Sequence, residues 1–267
     1  MLTARPYPIE NDVKYVPKEL KTNINVTKTS PPKEFFILLG GVLAFLIIGY
    51  VVLGFAVDFV VPRLPSSVEQ ALSRPFERNF SDAKENKKSE QLEKVLQKLV
   101  DVMPEKRGTY KVYLVEHKQV NAMALPGGNI VVFSGLMDEV GSEQELAFVL
   151  GHELGHFANR DHLKGLGRGL LLYSLLSLLV GPDSSLAEIM GGTLVGIQMK
   201  YSQRQEIAAD TYALDLLDRQ YEQVSGAIEF MEKLAIKEKK GHFAYYFSTH
   251  PHPETRITNI KTEIRKR

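Results

Sequence analysis

The longest apolar stretch lies near the start of the chain. Residues 35–57 read FFILLGGVLAFLIIGYVVLGFAV without one charged side chain, and the run continues past Asp58 to Val61. A helix needs about 20 apolar residues to cross a bilayer, so residues 35–61 are expected to form a transmembrane helix. Residues 1–34 hold five prolines, scattered charge and no sustained period, the pattern of a flexible tail. A signal peptide fits less well, because the tail is long for its charged region and no A-x-A-like site follows the run. Lys18, Lys21, Lys28 and Lys33 precede the run, against Arg63, Arg74 and Arg78 after it. By the positive-inside rule this balance points to a single-pass protein with a cytoplasmic N-terminus and the remainder on the extracytoplasmic side.

From residue 62 to 267 the pattern is that of a soluble domain. Leu92, Val95, Leu96, Leu99 and Val100 recur at helical spacing and form a core-facing stripe. The stretches 111–117, 119–125 and 129–135 are short, rich in Val and separated by turn signals such as Pro126-Gly127-Gly128, which predicts a small sheet. After Ser142 the periodicity is helical, apart from Gly-rich connections and the STHPHP stretch at 248–253. Ser142 followed by Glu145 is a capping-box pattern, so a helix should open there with Glu143 and Glu145 in its first turn. Residues 170–180 carry no charge but are too few for a span. They predict a buried helix roofing a site, with a re-entrant or interfacial segment as the alternative.

Composition narrows the field. With 44% hydrophobic and 24% charged residues the chain can bury a core, and a net charge of +1 offers no field for nucleic acid. There is no cysteine, so a bound metal would have to be held by His, Asp or Glu.

Residues 151–162, GHELGHFANRDH, supply such groups. Positions i and i+4 stack on one helix face, so His152 and His156 can reach one tetrahedral zinc ion. Glu153 points beside them, where its carboxylate can take a proton from a water that the metal has acidified. Leu146, Ala147, Leu150, Leu154, Phe157 and Ala158 fall in a stripe on nearly the opposite side. The alternative is a solvated or hydrogen-bonded helix face. A third ligand is therefore needed, and a helix over 198–218 offers Glu206 and Asp210 on one face, flanked by Ala208, Ala209 and Ala213. Glu206 would complete a His₂Glu set with the fourth position open, and Asp210 would hold the Nδ1 proton of a ligand histidine, His152 above all. A salt-bridged surface face beside Arg204 and Lys200 is the plainer reading of these two acids.

HELGH at 152–156, EIAAD at 206–210, NAMALPGGNIVVFSGL at 121–136 and STHPHPETRI at 248–257 together resemble the zinc endopeptidase family that includes HtpX and the CaaX prenyl proteases. The resemblance covers roughly residues 65–260. It implies an α+β, mainly α, zincin-like (gluzincin) domain with a small sheet, one zinc ion per chain and internal cleavage of protein or peptide substrates. It also implies roles that spacing does not give. The strand holding Asn121, Ala122, Met123 and Ala124 would border the cleft and pair with substrate backbone. His250 would lie near the zinc, either donating to an oxyanion or competing with water for the open position. Arg256 would pair with acids near the zinc helices, while His162 and His252 are expected to be surface or structural. Many-span relatives carry hydrophobic segments between the zinc motif and the third ligand, whereas this sequence predicts one span, which argues against CaaX processing. The competing function is a catalytically idle binding or chaperone-like module that keeps the zinc as structure. Glu153 argues against idleness, since zinc binding does not need it.

Overall fold

In a computed structural model of the chain, residues 30–65, 67–73, 86–106, 108–180, 201–238 and 244–267 are described, together with Val16. The chain divides into two compact units, residues 1–45 and 46–267. The apolar run forms helix α1, Pro31–Val60, opened by two prolines that suit a first helical turn. None of its residues is buried, and among the described residues the helical stretch Pro31–Arg63 alone is long and apolar enough to cross a membrane. A 3-10 turn, Val61–Arg63, follows it.

Helix α2, Lys87–Asp101, is capped by Asn86, whose side chain accepts from the backbone N–H groups of Lys88 and Ser89. It buries Leu92, Val95, Leu96 and Leu99. Strands β1 (Lys111–Val115), β2 (Ala122–Leu125) and β3 (Asn129–Phe133) form one sheet in the order β1-β3-β2. The β1–β3 pair is parallel and the β2–β3 pair antiparallel, with Ala122 opposite Val132 and Leu125 opposite Asn129. Gly127 and Gly128 join β2 to β3 at φ +85° and +79°, a backbone region that favours glycine. A Cβ on Gly127 would also lie 2.2 Å from the Cβ of Ser73.

The helices that follow are α3 (Ser134–Glu139), α4 (Glu143–Ala158), α5 (Asp161–Val180), α6 (Gln203–Tyr221), α7 (Ser225–Glu238), α8 (Ala244–Thr249) and α9 (Pro253–Lys266). Helix α4 carries the histidines and runs through the middle of the domain, packed by α2, β2, α5, α6 and α7. Every residue from Glu145 to Phe157 is buried, so both the apolar stripe and the opposite polar face lie inside. At its start Ser142 accepts from Glu145 N. The Glu145 side chain does not return to Ser142; it accepts from Gly141 N at 2.7 Å and from Lys233 Nζ of α7. The approach of that lysine to a nearly buried carboxylate redirects half of the expected capping box.

Helices α4 and α6 touch through small residues. A Cβ on Gly155 would lie 2.8 Å from Ala209 Cα, and one on Gly151 would lie 3.2 Å from Ala213 Cα. Alanine would gain up to about 1 kcal/mol of helix propensity at either position. Overpacking against backbone costs about 1–3 kcal/mol, so the clash wins at Gly155. Gly155→Ala should therefore lower the unfolding midpoint in a denaturant titration, and Gly151→Ala should lower it less. Equal midpoints for both variants and the parent would refute the close contact.

Candidate active site

The glycine–alanine contact brings one face of α4 against one face of α6, and the polar groups of both meet there. His152 Nε2 and His156 Nε2 stand 3.1 Å apart. Glu206 Oε1 lies 3.4 Å from His156 Nε2, and Glu206 Oε2 lies 3.6 Å from His152 Nε2. From the segment after α8, His250 adds its Nδ1 at 3.2 Å from His152 Nε2 and 3.3 Å from Glu206 Oε1. One ligand atom from each of these four buried residues falls within 4.8 Å of all the others. Two ligands of a tetrahedral zinc ion, each about 2.0–2.1 Å from the metal, stand about 3.3 Å apart, so the observed separations fit a shared ion. The fourth corner, expected to be open, is where His250 Nδ1 points.

A second layer holds these groups. Asp210 Oδ1 lies 2.8 Å from His152 Nδ1. Arg256, fully buried on α9, donates to both Asp210 oxygens at 2.8 and 2.7 Å. Its Nη1 lies 2.7 Å from Glu206 Oε2, an ion pair without hydrogen-bond alignment. Burial pushes both carboxyls up, but the Arg256 guanidinium together with the neighbouring histidines more than reverses this, leaving Asp210 below its ordinary value and Glu206 well below. For His152 burial dominates, with Arg256 adding to it, and the imidazolium pKa is lowered.

His156 is held differently. Its Nδ1 lies 3.2 Å from Asp161 Oδ2, just past the end of α4. Asp161 Oδ1 in turn accepts from Gln205 Nε2 of α6 and from Lys164 Nζ. Burial opposes charge on His156, yet Asp161 and then Glu206 and Glu153 outweigh it and raise its pKa to about 9. The ring of Tyr201 stacks on the His156 imidazole, 3.7 Å between centroids and 15° between planes. Four carboxyl groups, those of Glu153, Asp161, Glu206 and Asp210, thus lie around the histidines, with Arg256 paired to Glu206 and Asp210, Lys164 to Asp161, and His156 itself inclined to carry a proton. A divalent ion would offset the remaining negative charge.

Glu153 is fully buried and, among the described residues, neither carboxylate oxygen has a hydrogen-bond partner. Its Oε1 is 3.6 Å from His250 Nε2, which also lies 3.4 Å from the carbonyl of Ala122 in β2. A carboxylate so placed, beside a metal-ligand cluster, can take a proton from a water and return it to a leaving group. Asn121, Ala122 and Ala124 are buried and Met123 is half-buried. Strand β2 is an end strand of the sheet, with β3 on one side.

Two residues that spacing did not reveal, Asp161 and Tyr201, contact His156. Asp161 follows Arg160, whose φ of +54° turns the chain sharply at the end of α4, and helical periodicity says nothing about such a corner. Tyr201 precedes the capped start of α6 and carried no motif. His162 is not at the surface: it is fully buried, with Nε2 2.9 Å from Glu69 Oε1. His252 is exposed and caps α9 in a left-handed conformation.

Residues 86–264 match the family described as Peptidase family M48. The metalloprotease LoiP of Escherichia coli K12 is 38% identical over 161 residues, 58% of this chain and 62% of LoiP. The metalloprotease YcaL of the same organism is 32% identical over 160 residues, 58% of this chain and 61% of YcaL. The beta-barrel assembly-enhancing protease of Yersinia pestis is 29% identical over 174 residues, 58% of this chain and 34% of that protein. The chain therefore spans less than two thirds of the length of each of these relatives.

The Arg256 pairs yield a stability test on metal-free protein. Removing one partner of a buried ion pair costs about 3–5 kcal/mol, because the charge left behind stays desolvated. Arg256→Ala should lose that much in chemical denaturation, and Arg256→Ala combined with Asp210→Asn should recover part of it. A loss below about 1 kcal/mol would mean that solvent or rearrangement already screens the carboxylates.

Proposed function

Because the chain belongs to peptidase family M48, we propose that it is a membrane-anchored zinc endopeptidase, with His152, His156 and Glu206 holding one zinc ion and α1 as the anchor. Bound there, zinc supplies a Lewis acid that acidifies a water molecule and polarises a peptide carbonyl. The remaining roles belong to the chain. Glu153, buried beside the cluster and without a hydrogen-bond partner among the described residues, carries the reading. It takes the proton of the attacking water and passes it to the leaving amine. Asp210 and Asp161 fix the two ligand imidazoles through their Nδ1 atoms, and Arg256 keeps Asp210 and Glu206 ionised.

His250 acts as a stopper. Its Nδ1 belongs to the same cluster of ligand atoms, so with zinc bound it would compete with the attacking water and would have to withdraw during turnover. Its Nε2 contact with the Ala122 carbonyl ties the stopper to the strand that receives substrate. An extended peptide adding to the free edge of β2 along Ala122, Met123 and Ala124 would compete for that carbonyl, coupling substrate arrival to His250 release. The catalytic domain lies on the extracytoplasmic side. A relative named for enhancing β-barrel assembly supports a role in quality control of membrane or envelope proteins.

Glu153→Gln should retain one zinc per chain while proteolysis falls about 10²- to 10⁴-fold, the usual contribution of a general base. If the peptides released from membrane proteins are the same with this variant as with the wild type, the chain is a zinc-containing binding module. His250→Ala should cleave faster than the wild type with its zinc retained; slower cleavage would make His250 a participant in the chemistry. Asp161→Asn should weaken zinc affinity about 10- to 100-fold, as loss of a ligand's outer partner does, and unchanged affinity would remove Asp161 from the site.

A further inference from the structure

Helix α5 leaves the α4 corner against the end of α1, and successive contacts follow opposite directions along the two helices. Arg160, one residue before α5, donates from Nη1 to the carbonyls of Val61 and Leu64 at 3.0 and 2.6 Å. Two turns further on, a Cβ on Gly167 would lie 3.1 Å from Val57 Cγ1, and Arg168 Nη2 bonds both oxygens of Asp58 at 2.8 and 2.7 Å. Higher numbers on α5 face lower numbers on α1, an antiparallel arrangement. Residue 168 is level with 58, so the end of α5 at residue 180 falls level with residue 46.

The exposure of α1 follows the same register. Leu46, Gly49, Gly54 and Val57 are half-covered and lie on one side of the helix, in line with buried Val61. Ile47, Ile48, Val52, Phe55 and Phe59 on the other sides remain between 59% and 71% exposed. One flank of α1 between Leu46 and Val61 is therefore partly covered, on the side where Val57 and Asp58 meet Gly167 and Arg168.

The chain of α5 past Arg168 reads GLLLYSLLSLLV, without a charge. Leu170 is 44% exposed although it stands next to the Asp58–Arg168 pair. We infer that residues 169–180 form a half-depth membrane segment: they enter the bilayer beside α1, with lipid acyl chains as their partner, and end near its middle. The inference rests on α1 being a membrane anchor. Twelve helical residues add about 18 Å, against a hydrocarbon core of about 30 Å, so the segment enters but does not cross. The Asp58–Arg168 pair then marks the level of the interface, where a paired charge is tolerated, and everything beyond it on α5 is uncharged, with Tyr173, Ser174 and Ser177 among the leucines. His156, one helical turn before Arg160, is held within a few turns of that surface, so the cleft would meet chain segments as they emerge from the bilayer.

The chain contains no tryptophan, which gives a direct test on the full-length protein. Single tryptophans are placed by Leu170→Trp, Leu171→Trp, Leu172→Trp, Leu175→Trp and Leu176→Trp, with Ile48→Trp in α1 and Lys94→Trp on the exposed side of α2 as references. Each variant is reconstituted in phosphatidylcholine vesicles with and without brominated acyl chains, and quenching is read. We expect Ile48→Trp and several α5 positions to be quenched, with helical spacing, while Lys94→Trp is not. Quenching of Ile48→Trp with none of the five α5 positions quenched would overturn the half-depth segment and leave the anchor standing. No quenching at Ile48→Trp would overturn the anchor, and the segment with it. Because five sites are read separately, loss of any one variant to misfolding leaves the outcome decided by the others.

Discussion

The site depends on how closely two helices can approach. Gly151 and Gly155 on α4 face Ala209 and Ala213 on α6, and side chains larger than these would separate the backbones. Only at that separation do His152 and His156 reach the carboxylate of Glu206, on a different helix 50 positions further along the chain. Residues with good intrinsic helix propensity would stabilise α4 as an isolated helix and spoil it as half of a ligand set. The glycines cost helix stability in order to set a distance.

Once the helices meet, the problem becomes one of charge. Glu153, Glu206 and Asp210 are buried together, a grouping that desolvation penalises heavily. Arg256 answers two of them from α9, far along the chain, so the C-terminal helix is part of the site and not an appendage. Without metal the His156 imidazole, with its pKa near 9, supplies a further positive charge.

Much of this was legible in the sequence because it rests on local periodicity. The i, i+4 spacing of His152 and His156, the apolar run of α1, Ser142 as a helix start and the three Val-rich strands follow from rules that act over a few residues. Family resemblance added His250 and Arg256, which no spacing singles out. The rest depends on tertiary encounters. Asp161 reaches His156 because Arg160 adopts a left-handed conformation, and that conformation is held by carbonyls nearly 100 residues earlier. Glu145 left its expected capping partner because Lys233 came near. Tyr201 stacks on a histidine it cannot be seen to approach from its neighbours. His162, expected to be surface or structural, is structural, and nothing in its neighbours showed that Glu69 would be its partner.

The corner at residues 160–162 joins these themes. Its three side chains part company: Arg160 grips the carbonyls of Val61 and Leu64, Asp161 turns inward to His156, and His162 holds Glu69. The chain that follows α1 is thus seated on the domain that carries the histidines, through the carbonyls of Val61 and Leu64. The corner that carries Asp161, the partner of His156, is tied to the backbone at Val61 and Leu64. A fragment cut just after the apolar run would keep every residue of the histidine motif and still lose part of the frame that aims it.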